Sequence, residues 1–179
     1  KDAVLKIGRF LSEWSDAAYD PPTWETVFEE TSLTARANSM GAVKAGVLAD
    51  ALMHGALPRL EGLDLGLNPI GDAGLKELSR AIASGSLGNL VELSLYRDKI
   101  GDAGVSALAG AIASGSMARL ENLDLSGNQI SDAGMKSLSD SIASGSLPPL
   151  LTLVVDDGPL GTEHPQLNPA CELRGIRLV

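Results

Sequence analysis

Three tandem copies of one thirty-residue sequence fill positions 57–146 and constrain the fold more than any other feature of the chain. The copies read LPRLEGLDLGLNPIGDAGLKELSRAIASGS, LGNLVELSLYRDKIGDAGVSALAGAIASGS and MARLENLDLSGNQISDAGMKSLSDSIASGS. Repetition at a fixed period of this length indicates a solenoid, because each unit buries its apolar side only against its neighbours. The sequence therefore predicts a stack of similar units, which the rest of the chain extends or caps.

Each copy opens with the pattern LxxLxLxx(N/D)xI and continues with a helical half close to GDAGxxxLxxAIASGS. This pattern resembles the leucine-rich repeat, and the helical half is most similar to the ribonuclease-inhibitor-like type. The resemblance spans residues 32–179. It implies a right-handed α/β solenoid with short parallel strands on the concave face and helices on the convex face, about five repeats long plus a final strand.

Within one copy, the alternation at Leu63–Leu65 predicts a short strand whose leucines point inward. Asn68 resembles the family's ladder asparagine, whose amide satisfies backbone groups left open as the chain turns. Asp72, Asp102 and Asp132 precede helical segments. We therefore expect these three carboxylates to accept N–H groups in the first turns of those helices, as N-caps do.

A degenerate earlier copy emerges when thirty is subtracted from the repeat positions. The residues of this copy are Leu33, Ala35, Asn38 and Met40. They match Leu63, Leu65, Asn68 and Ile70 of the first clear copy. We expect Leu33, Ala35 and Met40 to be buried, with residues near Ser32–Ala35 pairing in parallel with the next strand.

The repeat decays after its last clear copy. Leu153 and Val155 keep the strand pattern, whereas Pro165 and Pro169 discourage a long helix. A final strand is predicted at Leu173–Val179, which brings the sheet to about six parallel strands.

Residues 1–31 follow a different pattern, with apolar side chains at helical spacing. One interpretation is an N-terminal helical cap that covers the open end of the first repeat. The other is a docking surface for another protein, made by Phe10, Trp14, Trp24 and Phe28. The two interpretations are compatible.

The net charge of −9 disfavours a nucleic-acid ligand, because phosphate binding needs clustered Lys and Arg. No apolar run reaches the length of a transmembrane segment.

A single cysteine, Cys171, excludes an internal disulfide and favours an intracellular, reducing compartment. Cytoplasm and organelle, a plastid included, are not separated, because a chain that starts at Lys1 is expected to be processed or truncated.

Neither a catalytic residue nor a metal or cofactor site is predicted. Each GDAG segment offers one carboxylate, whereas Ca²⁺ takes six to eight oxygen ligands. The sequence has no phosphate loop, no GxSxG elbow and no HExxH zinc motif. A GTPase-activating role, which some relatives have, finds no distinguishable catalytic residue here. We therefore expect a non-enzymatic protein without cofactors.

The outward row of the predicted strands varies where the inward row is fixed, which is typical of an interaction surface in this family. The candidate contact residues are Asp64, Glu92, Ser94, Tyr96, Arg97, Asn122, Asp124 and Asp156. Tyr and Arg are enriched among residues that dominate binding energy. The favoured hypothesis is a protein–protein interaction module whose acidic concave face binds a protein partner, which its charge suggests is basic.

Two alternatives stay open. The outward row is a solvated face without a ligand, or the chain is a peripheral structural subunit of a larger complex. In the second case it docks through the aromatic N-terminus and the C-terminal edge strand. This larger complex could be an organellar or algal membrane complex, because the very regular repeat sequence resembles repeats abundant in unicellular algae.

Overall fold

The computed structural model describes residues 31–37, 39–145, 150–155 and 165–179. Within these ranges six short strands alternate with five helices. The strands are β1 (Ser32–Thr34), β2 (Gly62–Asp64), β3 (Glu92–Ser94), β4 (Asn122–Asp124), β5 (Thr152–Val154) and β6 (Arg177–Leu178). The helices are α1 (Ala42–Met53), α2 (Gly71–Ala83), α3 (Asp102–Ala113), α4 (Asp132–Ala143) and α5 (Asn168–Arg174). The predicted N-terminal cap with its four aromatic residues, Asn38 and Asp156 lie outside the described residues.

All six strands form one parallel sheet whose spatial order is the order of the chain. Each of the strands β1 to β4 pairs with the strand thirty residues later, so Leu63 lies opposite Leu33 on one side and Leu93 on the other. Each helix returns the chain to the next strand, and neighbouring helices pack side by side. The sheet is open, with β1 and β6 at its edges. This arrangement confirms the predicted α/β solenoid.

The degenerate first repeat is part of the same stack. β1 pairs with β2 in parallel from Ser32 to Thr34, as the thirty-residue offset predicts. Ala35 and Met40 are buried. Leu33 is only partly buried, because β1 lies at the edge of the sheet and, among the described strands, only β2 pairs with it.

The core is a set of narrow layers between the sheet and the helices. Each layer combines inward leucines of one strand with leucine and isoleucine from the inner face of the helix that follows, such as Leu108 and Ile112 of α3. These side chains belong to one continuous cluster of buried residues. Every inner layer contacts the layer before it and the layer after it, so the core runs along the whole stack instead of being concentrated at one point.

Asp72 and Asp102 each cap the helix of the next repeat, so the prediction that they cap the helices they precede is wrong. Asp132 is the first residue of α4, whose N-cap is Ser131. Asp72 Oδ1 accepts the N–H groups of Gly101 and Gly104 at 2.7 and 3.0 Å. Asp102 likewise accepts N–H groups of Ser131 and Gly134 at 2.8 and 3.2 Å. Hydrogen bonds from the hydroxyl and amide of Ser131 hold the pKa of Asp102 below its ordinary value.

Glycine makes this capping across repeats feasible. A Cβ atom added to Gly104 would lie 2.7 Å from Asp72 Oδ1. In the next repeat, a Cβ atom on Gly134 would lie 2.6 Å from Asp102 Oδ1. The first turns of adjacent helices therefore approach too closely for a side chain, and the carboxylate of one repeat reaches the amides of the next.

The last strand is shorter than the predicted strand at Leu173–Val179. Leu173 belongs to helix α5, where its side chain is 75% exposed, and the strand comprises only Arg177–Leu178. Pro169 fits the first turn of α5, and Gly175 adopts a left-handed conformation (φ 69°) that ends the helix. Strand pairing then resumes with β5.

Candidate interaction surface

The outward side chains of the strands form two rows that cross the sheet. The first row contains Ser32, Gly62, Glu92, Asn122, Thr152 and Arg177, and the second contains Thr34, Asp64, Ser94, Asp124 and Val154. Across β1 to β5 these residues line an open depression with a volume of about 370 Å³. We call this depression the strand-face groove.

Three carboxylates give the strand-face groove its charge. Asp64, Glu92 and Asp124 come from three successive strands, and the residues that line the groove include neither lysine nor arginine. With neighbouring strands about 4.8 Å apart, Asp64 and Asp124 lie about 10 Å from each other, on either side of Ser94. Like charges held this close create a negative potential that attracts cationic groups.

Two of these carboxylates are held in fixed orientations by the turns that follow their strands. Asp64 Oδ1 accepts the N–H of Gly66 at 3.0 Å. Asp124 Oδ1 accepts both the N–H and the hydroxyl of Ser126, at 2.9 and 2.6 Å. Each carboxylate therefore uses one oxygen to hold the turn that follows its strand. The other oxygen of Asp64 lies 3.6 Å from Arg36 Nη1, in an exposed ion pair.

An aromatic cluster lies at one rim of the groove. The guanidinium carbons of Arg36 and Arg97 lie 5.6 and 5.0 Å from the centre of the Tyr96 ring. These are distances at which a cation is attracted to the face of an aromatic ring. We call these three residues the aromatic rim. Because Tyr96 is already oriented, it would lose little side-chain entropy on contact with a partner.

The structure thus brings together seven of the eight candidate contact residues. Asp64, Glu92, Ser94, Asn122 and Asp124 line the groove, and Tyr96 and Arg97 stand at its rim. The eighth candidate, Asp156, is outside the described residues. Reasoning from the sequence did not identify the contribution of Asp98, which lies beneath the rim.

Asp98 occupies the ladder position of its repeat and is fully buried. Its Oδ1 accepts the N–H of Asn68 at 2.7 Å, whereas Oδ2 has no hydrogen-bond partner among the described residues. Burial raises the pKa of Asp98 to about 7. The nearby carboxylates of Asp64 and Asp124 add to the rise in pKa, while the Asn68 amide and Arg36 oppose it.

The rest of the described chain offers little other chemistry. Cys171 is buried in α5, and burial raises the pKa of its thiol. Among the described residues, no three His, Cys, Asp or Glu side chains come together as metal ligands would. The helices described here are all too short or too polar to cross a bilayer.

Comparison with known proteins supports the resemblance seen in the sequence. A family model described as Leucine Rich repeat matches residues 58–79 and 120–139, which fall in the first and third clear copies. Curated proteins yield no match to the chain. The two family matches and the six-stranded parallel sheet identify the fold as an α/β solenoid of leucine-rich repeats.

Proposed function

We propose that this protein is a non-enzymatic interaction module that binds a basic protein segment in the strand-face groove. Leucine-rich repeats commonly mediate protein–protein interaction. The observation that carries the proposal is the set of three carboxylates, from three successive strands, in a groove lined by no lysine or arginine. The four long helices, of 12 or 13 residues, also favour the ribonuclease-inhibitor-like subtype.

The spacing of the carboxylates indicates what kind of segment fits. Asp64 and Asp124 are separated by about 10 Å, which an extended segment in the polyproline II conformation spans in about three residues, with the first and last side chains on the same face. A segment that crosses the strands with two Lys or Arg residues at this spacing would pair with both carboxylates. Glu92 stands between them in the other row and would meet a third cation. Tyr96 would supply an apolar contact at the rim.

The decisive experiment neutralises the groove without breaking its turns. In the variant Asp64→Asn/Glu92→Gln/Asp124→Asn, the amide oxygens still accept the hydrogen bonds of the turns, but the three charges are gone. We expect affinity for extended arginine-containing peptides to fall by about tenfold, together with the salt dependence of binding. Fluorescence anisotropy at several salt concentrations measures both quantities, and unfolding in urea checks that stability is retained.

A matched control removes the same charge from the helices. The variant Asp50→Asn/Glu77→Gln/Asp140→Asn changes three carboxylates of α1, α2 and α4. It should leave peptide affinity within about twofold, since exposed charges more than a Debye length away are screened. If both triple variants lose affinity equally, peptide binding follows net charge alone and the groove is not the site.

The second candidate is a peripheral structural subunit of a larger complex, and the open edge of β6 favours it. The N–H groups of Arg177 and Val179 donate to the carbonyls of Leu151 and Leu153. By the alternation of a parallel ladder, the N–H and C=O of Leu178 face the outer edge, where no described strand pairs with them. Leu151 and Leu173 expose apolar side chains near the same end.

Hydrogen exchange at Leu178 tests this second candidate. If β6 docks against another chain, the Leu178 amide should exchange rapidly in the isolated protein and slowly in complexes purified from the native source. The Arg177 amide serves as the internal reference, because it donates to β5 in either state. Equal exchange of Leu178 in both preparations would leave the groove as the better proposal.

A further inference from the structure

The asparagines on either side of Asp98 show what its position in the ladder requires. Asn128 Oδ1 accepts the N–H groups of Asp98 and Ile100 at 2.9 and 3.0 Å. Its Nδ2 donates to the carbonyls of Leu95 and Leu125, both at 2.8 Å. One side of the amide therefore faces N–H groups and the other side faces C=O groups.

Asn68 repeats this arrangement one layer earlier. Its Oδ1 accepts the N–H of Met40 at 2.9 Å, and its Nδ2 donates to the carbonyl of Ala35 at 2.8 Å and to that of Leu65. The ladder position thus needs a side chain that accepts on one atom and donates on the other. An amide meets this need at any pH.

Asp98 meets it only when it carries a proton. Oδ1 accepts the N–H of Asn68, as the amide oxygens do in the neighbouring layers. Oδ2 replaces the amide nitrogen, and by the thirty-residue repeat it faces the carbonyls of Leu65 and Leu95. A neutral carboxyl donates its O–H to one of these oxygens, whereas an ionised carboxylate places negative charge against both of them in a buried site.

The charged groups around Asp98 come from the strands on both sides. Asp64 of β2 and Asp124 of β4 disfavour its ionisation, and Arg36, which follows β1, favours it. The two acidic neighbours outnumber the one cation, which is itself exposed, and the hydrogen bond from the Asn68 amide only partly offsets the effect of burial on the pKa of Asp98. Burial and the surrounding charges therefore act in the same direction as the carbonyl oxygens of the ladder.

The turn above Asp98 carries two members of the aromatic rim. Arg97 and Lys99, on either side of Asp98, have positive φ angles of 53° and 59°. Such conformations are sparsely populated by residues with side chains and persist only where the surrounding contacts fix them. The Tyr96 carbonyl accepts the N–H of Leu67, and the Asp98 carbonyl accepts that of Gly71. Both bonds come from the turn after β2, whose Asn68 N–H is bonded to Asp98 Oδ1, so the Asp98 carboxyl is part of what holds Tyr96 in place.

We propose that Asp98 makes the aromatic rim sensitive to pH: its neutral carboxyl ties the turn of residues 66–70 to residues 96–99, and loss of the Oδ2 proton loosens the turn of residues 96–99. The turn is ordered in mildly acidic solution and more mobile in mildly alkaline solution. Its effect on a partner rests on the proposed function of the groove, but the change in the turn does not. The groove would then hold its partner more tightly at lower pH.

Amide hydrogen exchange of the intact protein tests the change in the turn. Between about pH 5.5 and about pH 8.5, the protection factors of Arg97 and Leu67 should fall by about tenfold, after correction for the intrinsic pH dependence of exchange. In Asp98→Asn the same protection factors should stay constant, since the amide does not titrate. Constant protection in the wild-type protein, or an identical fall in Asp98→Asn, would overturn the proposal.

A second variant moves the sensitivity instead of removing it. In the double variant Asp98→Asn/Asn128→Asp, the amide of Ile100, which bonds to the side chain at position 128, should acquire a pH-dependent protection that Asp98→Asn alone lacks. Binding of arginine-containing peptides, measured in parallel, separates the two proposals. If the turn responds to pH but no peptide binds at any pH, the groove proposal fails and the ladder proposal stands.

Discussion

Asp98→Asn is expected to raise the free energy of unfolding by up to about 4 kcal/mol above pH 7 and by little near pH 4. The pKa of Asp98 is about 7 in the folded chain, compared with 3.8 for an unperturbed aspartate. Between these two values the unfolded chain has released its proton and the folded chain has not. The wild-type protein therefore loses stability as pH rises from about 4 to about 7, and the amide variant does not.

Urea unfolding of both proteins at several pH values measures this difference. Asn128→Asp is the matched control of opposite sign, because it places a carboxyl at the next rung of the ladder and should destabilise the protein most at high pH. Asp102 affects stability in another pH range. Because its pKa is lowered in the folded chain, its contribution to the free energy of unfolding is lost only in more acidic solution. A gain from Asp98→Asn that is equal at pH 4 and pH 8 would show that ionisation of Asp98 is not its cause.

Leu108→Ala is expected to lower the free energy of unfolding by about 2–5 kcal/mol. Leu108 is fully buried on the inner face of α3, in the middle of the stack. Leu78 and Leu138 occupy the same place in the layers on either side. Since both neighbouring layers are held by strand pairing, the cavity cannot close easily, and the loss should lie well above that of a surface change.

Leu173→Ala provides the comparison in urea unfolding. It makes the same chemical change in α5, at a side chain that is 75% exposed, and should alter stability by less than about 0.5 kcal/mol. Similar losses for the two variants would contradict the layered core, because they would mean that position in the stack does not determine the cost.

Much of the fold could be predicted because one period determines several features at once. Leucines thirty residues apart must face the same interior, so the offset between copies also gives the strand register that pairs Leu33 with Leu63. The capping by Asp72 could not be read in the same way. Its partners, Gly101 and Gly104, are reached only because adjacent helices pack closely, and this distance is a property of the stack.

In the candidate site, too, features set by the local sequence could be predicted, whereas features set by packing could not. Alternation along a strand places Asp64 and Asp124 outward whatever the details of packing, so these residues could be predicted from the sequence. Their second role, as acceptors for Gly66 and Ser126, depends on the path of the turn. Asp98 fits the (N/D) position of the repeat pattern, but its protonation depends on burial and on charges contributed by other strands.

The capping across repeats gives the stack a direction. Asp72 secures the start of α3 and Asp102 secures the start of α4, so each of these helices depends on a carboxylate from the repeat before it. The first described repeat has alanine, Ala42, at this position, and the series begins only with Asp72. Each of these interfaces between repeats therefore includes a capping interaction that the interface between the first and second described repeats does not have. The coupling free energy between neighbouring repeats is thus unequal along the stack, and the first described repeat should lose its order more readily than the repeats that follow.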